Sequence, residues 1–302
     1  MRRTKIVLTK IKTYLDPSFQ LIKKMLTLDT RSLALFRIGA GLLIIVDLLI
    51  RFSDLEAFYT NAGILPRKIL LDEFLQSGSI SLHFMNDKVW FQAFLFMLNG
   101  LFALGLLFGF KTRVCHVVCW FFMMSLHARN YMVLQGGDTL FRMMLFWSMF
   151  LPTNAYYSID RALAKETATI PTKVFNMASV AFIFQLGFMY FFTASFKNHP
   201  AWHTDGTALY YALSLDGYTK LLGYVLLEHP LLMKYATILT WYMERYAIFF
   251  LFFPFYTQAF RIGLVVMFIG FHLLGLHLTM SLGLFCFICS VYWLALIPHT
   301  FW

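Results

Sequence analysis

The chain has 302 residues, of which 60% are hydrophobic and 13% are charged. Soluble globular proteins contain roughly 45–50% apolar residues, and a soluble core of this length could not bury so much apolar surface. Lipid must therefore cover part of the chain, which predicts a polytopic membrane protein. The net charge of +10 does not indicate nucleic acid, because eight of the 25 basic residues precede the first apolar run.

The first segment, residues 1–31, carries those eight basic residues. They alternate with apolar residues such as Ile6, Val7 and Tyr14. This pattern is typical of a basic amphipathic helix that lies on an anionic cytoplasmic leaflet. We therefore expect residues 1–31 to form an interfacial segment and residues 32–302 to form the transmembrane domain. No apolar stretch with a small-residue cleavage site follows the start, so no removable signal peptide is expected.

Apolar runs follow one another along the rest of the chain and predict an all-α helical bundle. Crossing about 30 Å of hydrocarbon takes roughly 20 residues of helix. The predicted spans are 32–51, 90–110, 113–127, 139–151, 174–196, 235–256, 259–280 and 282–301. Two long connections, 52–89 and 197–234, are rich in aromatic residues and are expected to lie on or dip into the outer leaflet.

The distribution of Lys and Arg predicts which side of the membrane each connection faces. With eight passes, one set of connections carries fourteen Lys and Arg residues and the other set carries seven. The more positive connections of a membrane protein stay in the cytoplasm. Both termini are therefore expected in the cytoplasm, and the connections 52–89 and 197–234 are expected outside.

The 139–151 run is too short to cross a membrane by itself, and Gly136-Gly137-Asp138 comes directly before it. Non-helical backbone at membrane depth persists only where protein or a wet cavity satisfies its polar groups. The Gly136–Asp138 stretch is therefore interpreted either as a cavity wall or as an ordinary interfacial loop.

Lys197 ends a long uncharged run and begins the segment Lys197-Asn198-His199-Pro200-Ala201-Trp202. An ammonium group at the edge of the hydrocarbon is costly to desolvate, and a lysine that is neutral part of the time can act as a base. A lysine at the end of a span also often extends its charge to the lipid headgroups. Its position alone leaves both interpretations of Lys197 open.

Several ionisable residues lie inside the predicted spans, where each is costly unless it is paired or hydrated. A rise of about 1.5 Å per residue places many of them in the outer half, beneath the Lys197 connection. These are Asp47, Asp138, Arg142, Glu244 and His272. We expect one polar cavity there, although ion pairs between helices would explain these residues as well. Arg37 and Arg51, near the two ends of the first span, are expected to be structural.

No metal site is predicted. His272 and His277 are five residues apart, whereas two ligands on one helix face are typically four apart. Cys286 and Cys289 have a spacing that occurs in redox and zinc sites. Inside a lipid-buried helix they are interpreted as small apolar side chains.

Four parts of the chain resemble the bacterial HTTM family, whose membrane domain is related to the vitamin K-dependent gamma-glutamyl carboxylases. They are residues 35–49 followed by 54–67; His127-Ala128-Arg129-Asn130 with Gly136-Gly137-Asp138; Tyr190 through Lys197 with Trp202, Asp205-Gly206 and Tyr210-Tyr211-Ala212-Leu213; and Phe271-His272 with Leu282-Gly283-Leu284-Phe285. They occur in order, at family-like spacing, and cover most of the chain from residue 32 onward.

The resemblance implies an enzyme that uses a reduced quinone, such as vitamin K hydroquinone, with O2 and CO2 to modify a peptide or small substrate. Lys197 followed by Trp202 matches the carboxylase lysine that deprotonates the hydroquinone, and His272 matches a histidine of the same site. Lys197 and His272 are therefore the candidate catalytic residues. The candidate substrate-binding or quinone-binding residues are Trp202, Asp138, Glu244, Arg142, His277 and Tyr210. A second functional histidine of the carboxylases has no counterpart near Gly137-Asp138.

Two other classes of function remain open. HTTM proteins include some that are needed to mature secreted bacterial peptide toxins, so a maturation or export factor without quinone chemistry is an alternative. A transporter is the third interpretation, and its outer cavity would have to alternate toward the cytoplasm. The expected partners are membrane lipid and a secreted peptide, and the expected location is the bacterial inner membrane.

Overall fold

The computed structural model describes residues 17–71, 81–164 and 170–302. Nearly all of its regular structure is helical, which confirms the all-α class. The helices are α1 (17–26), α2 (Thr30–Ser53), α3 (Leu55–Tyr59), α4 (67–71), α5 (Val89–Phe108), α6 (Thr112–Arg129), α7 (Gly136–Ser148), α8 (Ile159–Ala162), α9 (Met177–Phe196), α10 (Pro200–His203), α11 (Ala208–Leu213), α12 (Leu221–Leu227), α13 (Pro230–Tyr246), α14 (Thr257–Gly270), α15 (His277–Thr279) and α16 (Phe285–Leu294). Two short strands, β1 (Leu28–Asp29) and β2 (Lys173–Val174), pair antiparallel.

Four helical stretches within the described residues are long and apolar enough to cross a membrane. They are Thr30–Ser53, Val89–Phe108, Met177–Phe196 and Thr257–Thr279, the last of which joins α14, a π-helical turn and α15. They correspond to the predicted spans 32–51, 90–110, 174–196 and 259–280. The other four predicted spans coincide with α6, α7, α13 and α16, which are shorter or less apolar. The chain is therefore an α-helical membrane protein.

Helix α2 packs between α5 and α16. Its Gly41 approaches α5 so closely that a Cβ atom would lie 2.8 Å from the backbone nitrogen of Leu107. A larger residue would push the two helices apart. The Phe36 ring of α2 meets Phe182 of α9 edge to face at 5.3 Å, and Phe182 meets Tyr292 of α16 at 4.4 Å. These aromatic contacts hold α9 and α16 against α2.

The helices end at two opposite faces of the bundle. β1 precedes α2 and pairs with β2, which precedes α9, so the starts of α2 and α9 lie together. We call this side the strand face. The ends of the same helices lie at the opposite side, which we call the Lys197 face because Lys197 follows α9.

Arg37 of α2 is fully buried and links α2 to the end of α5 at the strand face. Its guanidinium group donates to the carbonyls of Leu106 and Leu107 at 2.6 and 2.7 Å, and to the Thr153 carbonyl at 3.1 Å. The last carbonyls of a helix have no partner within the helix, so this cation satisfies the end of α5. The structural role predicted for Arg37 is confirmed.

The Gly136–Asp138 stretch forms the first turn of α7. The Asp138 carboxylate accepts a hydrogen bond from the backbone N–H of Gln135 at 2.8 Å, within a capping box that starts the helix. The interpretation of this stretch as a loop is therefore wrong. Gln135 and Asp138 also line a cavity of about 230 Å³, which supports the cavity-wall interpretation.

Candidate functional site

Lys197 lies where α9 ends. Its backbone N–H donates to the Ala194 carbonyl at 3.2 Å, in the last turn of the helix. The residue before a proline is disfavoured in a helix, and His199 is accordingly extended before Pro200 starts α10. The chain therefore turns sharply after Lys197, and this turn brings α10 back beside the end of α9.

Glu244 and Trp202 contact the Lys197 ammonium group from two different helices. Lys197 Nζ forms an ion pair with Glu244 Oε2 of α13 and lies 4.5 Å from the centre of the Trp202 ring of α10. The Lys197 and Glu244 side chains are only 20% and 9% exposed. The ring quadrupole attracts a cation, and an ion pair is stronger where water is scarce. The ammonium group is thus held inside the protein.

Trp241 supports this arrangement and is not among the predicted site residues. Its indole N–H donates to the carbonyls of Ala194 and Lys197, each at 3.1 Å. The end of α9 leaves these carbonyls without partners inside the helix. Trp241 lies three residues before Glu244 on α13, so both side chains project from one face. The Trp-x-x-Glu spacing within a predicted span is the only sequence signal for this role.

A chain of three buried polar side chains lies deeper in the bundle. The Tyr190 hydroxyl lies 2.7 Å from His272 Nε2, and Trp293 Nε1 donates to the same hydroxyl at 2.9 Å. The three residues come from α9, the π-helical turn Phe271–Leu276 and α16. Because unpaired buried polar groups are costly, these hydrogen bonds fix the relative positions of the three segments.

Only one of the two ring nitrogens of His272 has a hydrogen-bond partner among the described residues. The residue is 2% exposed, and its Nδ1 is buried without a hydrogen-bond partner among the described residues. It lies in the π-helical turn, and such turns occur frequently at functional sites. The rings of Phe271 and Phe285 lie 5.1 and 5.7 Å from the imidazole ring, centre to centre. His272 Nδ1 is therefore a free polar atom enclosed by aromatic rings.

The two groups of residues lie along the same side of α9. Tyr190 and Lys197 are seven residues apart, which is two helical turns, so they project from one face about 10 Å apart along the axis. Helix α13, which carries Glu244, packs against α9. We call the series Lys197, Glu244, Tyr190 and His272 the polar path.

Asp138 belongs to a second polar cluster at the Lys197 face. Arg51 donates to Asp47 at 2.9 Å and to Asp138 at 2.8 Å, and His127 Nε2 lies 3.6 Å from Asp138. The cluster joins α2, α6 and α7, so the structural role predicted for Arg51 is confirmed. In the described part of the chain, Asp138 has no polar contact with Lys197. The polar residues that depth alone places around one cavity therefore form two separate clusters.

Three other candidate binding residues make their contacts elsewhere. Arg142 donates to the Thr139 hydroxyl of its own helix at 3.3 Å. The His277 carbonyl accepts a hydrogen bond from Lys220 Nζ at 2.7 Å. Tyr210 is about half exposed on α11. The structure brings Lys197, Glu244 and Trp202 into contact, and it places His272 with Tyr190 in a second group about two helical turns deeper along α9.

Within residues 17–71, 81–164 and 170–302, no three His, Cys, Asp or Glu side chains lie close enough together to hold a metal ion. The aromatic rings beside Lys197 and His272 are those of Trp202, Phe271 and Phe285. No protein-family model, curated protein or solved structure matches this chain. What the fold defines is a helical membrane protein, and the HTTM resemblance stays a prediction.

Proposed function

We propose that this chain is a membrane enzyme resembling vitamin K-dependent gamma-glutamyl carboxylases, with Lys197 acting as a base toward a reduced quinone. The observation that carries the proposal is the position of the Lys197 ammonium group between the Glu244 carboxylate and the Trp202 ring. A lysine that only anchors a helix end extends its charge into the headgroups. A lysine held against a carboxylate can exchange a proton with it.

Glu244 gives Lys197 a route to the neutral amine. In the resting ion pair the proton is on Lys197 Nζ. Its transfer to Glu244 Oε2 breaks an N–H bond, forms an O–H bond and leaves both groups neutral, which suits a site with little water. The amine can then accept a proton from a ligand hydroxyl, and the Trp202 ring stabilises the ammonium that forms.

His272 would stabilise negative charge on the bound ligand. Its free Nδ1 can form a hydrogen bond to a ligand oxygen on which negative charge develops. The Phe271 and Phe285 rings would orient a flat ligand and exclude water that would quench a strong base. When bound, a reduced quinone would supply the reducing power and, with O2, the base strength needed to carboxylate a glutamate side chain.

The proposal includes eight passes through the bacterial inner membrane. The shorter helices α6, α7, α13 and α16 would cross together with flanking residues and alternate with the four long apolar helices. The connections assigned to the strand face carry fourteen Lys and Arg residues, and those assigned to the Lys197 face carry seven. The positive-inside rule would then put the strand face and both termini in the cytoplasm. The polar path would open outward, where a secreted peptide could reach it.

The test is quinol oxidation and labelled-CO2 incorporation by the purified protein, with vitamin K hydroquinone and a panel of glutamate-containing peptides. The wild-type protein is expected to oxidise the quinol and label a peptide. Lys197→Ala should lose roughly 10²–10⁴-fold in rate, the usual contribution of a positioned base. Lys234→Ala, which removes an exposed lysine from the same connection, is the matched control and should stay active.

A wild-type protein that neither oxidises the quinol nor labels any peptide would overturn the enzyme proposal. The maturation or export function and the transporter would then remain. Secretion of a peptide that depends on this chain, and stays unchanged in Lys197→Ala, would favour the maturation factor.

A further inference from the structure

A basic cavity opens at the strand face, where the first turn of α14 meets the end of α1. Its volume is about 240 Å³. The charged and titratable residues that line it are Lys23, Lys24, Asp29, Lys173, Arg261 and His299. Four of these residues carry a full positive charge and one carries a negative charge.

The negative charge in the cavity is already neutralised. Asp29 accepts hydrogen bonds from the backbone N–H of Arg31 at 2.8 Å and from Arg31 Nη2 at 2.7 Å. Within the described residues, Lys23, Lys24 and Lys173 form no ion pair. The first turn of α14 adds the partial positive charge of a helix N-terminus. The cavity therefore has an excess of positive charge that an anion would neutralise.

His299 also lines this cavity. Burial and the neighbouring Lys173 cation lower the pKa of His299, and Lys24 acts in the same direction. The Asp29 carboxylate acts in the opposite direction but does not reverse the effect. An anion in the cavity would offset the influence of the cations.

Arg261 forms the base of the cavity and is only 2% exposed. Its guanidinium group donates to the Thr27 carbonyl at 2.7 Å and to the Met25 carbonyl. These bonds fasten the end of α1 to α14, so the cavity is bounded by fixed elements. Arg261 Nε and Gln258 Oε1 are both buried without hydrogen-bond partners in the part of the chain that the structure describes.

An apolar groove continues from this cavity along α14. Its volume is about 480 Å³, and Pro298 lines both the cavity and the groove. The other residues that line the groove are Ile262, Val265, Val266, Ile269, Gly270, Leu273, Leu274, Ile297 and Phe301. From residue 262 to residue 274 it extends about 18 Å along the helix, more than half of a bilayer core of about 30 Å.

We propose that the basic cavity and the apolar groove together bind one anionic glycerophospholipid, with its phosphate headgroup in the cavity and an acyl chain in the groove. The charge selects an anion, and the continuous apolar groove selects a ligand with a hydrocarbon tail. Basic sites at the cytoplasmic side of membrane helices bind anionic headgroups in this way. A free phosphate ion would fill the cavity and leave the groove empty. The proposal takes the cytoplasmic side of the strand face from the proposed function but is independent of the chemistry at Lys197.

Binding is measured by native mass spectrometry of the full chain in detergent with phosphatidylglycerol, phosphatidylcholine of the same acyl chains, or inorganic phosphate. Wild-type protein is expected to prefer phosphatidylglycerol by at least about tenfold. The triple variant Lys23→Gln, Lys24→Gln, Lys173→Gln should lose this preference. The variant Lys111→Gln, Arg113→Gln removes exposed cations of the strand face outside the cavity and should keep it.

A second variant tests the groove separately from the charge. A Cβ atom at Gly270 would meet no heavy atom within 4 Å, so Gly270→Leu places a side chain in the groove without a clash from that atom. It should weaken phosphatidylglycerol binding at least about tenfold while the cations remain.

Equal binding of the two lipids to wild-type protein, or a preference that survives in the triple variant, would overturn the proposal. Displacement of phosphatidylglycerol by equimolar inorganic phosphate would also overturn it, because a free anion would then be the ligand.

Discussion

Glu244 of α13 forms an ion pair with Lys197 at the end of α9, and both side chains are largely removed from solvent. Each charge is therefore stabilised mainly by the other and by the Trp202 ring. The base proposed at Lys197 requires that a proton can move between these two groups.

Glu244→Gln is expected to lower quinol oxidation by roughly 10²-fold or more, because the amide cannot take the proton of Lys197. The free energy of unfolding should fall by about 1–3 kcal/mol, since the lysine loses its charged partner but keeps a polar one. Stopped-flow absorbance of the quinol and thermal unfolding measure the two effects. Glu228→Gln, an exposed glutamate before α13, should change neither. An active Glu244→Gln protein would exclude Glu244 as the proton acceptor.

Trp202→Leu should destabilise the protein by about 0.5–1 kcal/mol beyond its loss of packing, because the Lys197 ammonium group loses the aromatic face. Trp202→Phe keeps an aromatic face and should recover part of this effect. Chemical denaturation of both variants gives the comparison. Equal stability of the leucine and phenylalanine variants would show that the contact is only packing.

Tyr190→Phe should destabilise the bundle by about 1–3 kcal/mol, because it leaves His272 Nε2 and Trp293 Nε1 buried without their shared partner. Thermal unfolding in detergent measures the change. Tyr210→Phe removes the hydroxyl of a half-exposed tyrosine and should have no effect. A stable Tyr190→Phe protein would mean that water or another group satisfies these atoms.

His83 predicts a pH dependence of stability. It lies between α4 and α5, with Nδ1 2.6 Å from Gln92 Oε1. Burial, with the nearby Arg129 cation acting in the same direction, lowers the pKa of His83 to about 4. The unfolded chain has a histidine pKa near 6.5, so the unfolded state binds the proton first as the pH falls.

The contribution of His83 to stability is therefore complete above about pH 6.5 and is lost as the pH falls toward 4, by on the order of 3 kcal/mol. His83→Asn keeps a donor for Gln92 and should unfold with a weaker dependence on pH in this range. Parallel slopes for the two proteins between pH 6.5 and 4 would contradict the assignment.

The membrane helices were predictable because composition alone decides whether a segment prefers lipid. The run 174–196 predicts α9, whose observed start at Met177 follows the cap residue Asn176. Helix α7 shows the limit of this reasoning. The glycines at its start predict an interruption of the helix. In the structure, the capping box of Gln135 and Asp138 instead begins α7 there.

The contacts of the site were not predictable from depth. Depth along a helix places Asp138 and Glu244 at one level, but the packing of helices around the bundle determines which side chains meet. Glu244 pairs with Lys197, 47 residues before it, and Asp138 pairs with Arg51, 87 residues before it. Apolar periodicity cannot specify these pairs, because lipid-facing and protein-facing sides of a membrane helix are both apolar.

The most direct test of Lys197 as a base is removal and chemical replacement of its amine. Lys197→Cys should oxidise quinol at least roughly 10²-fold more slowly than wild-type protein. Alkylation with bromoethylamine adds an aminoethyl group, which restores an amine in nearly the same position. The four native cysteines are buried and should react slowly in the folded protein. Wild-type protein treated with the same reagent is the control for alkylation at these cysteines. We predict that aminoethylation restores most of the activity. A Lys197→Cys protein that is fully active before alkylation would contradict the account.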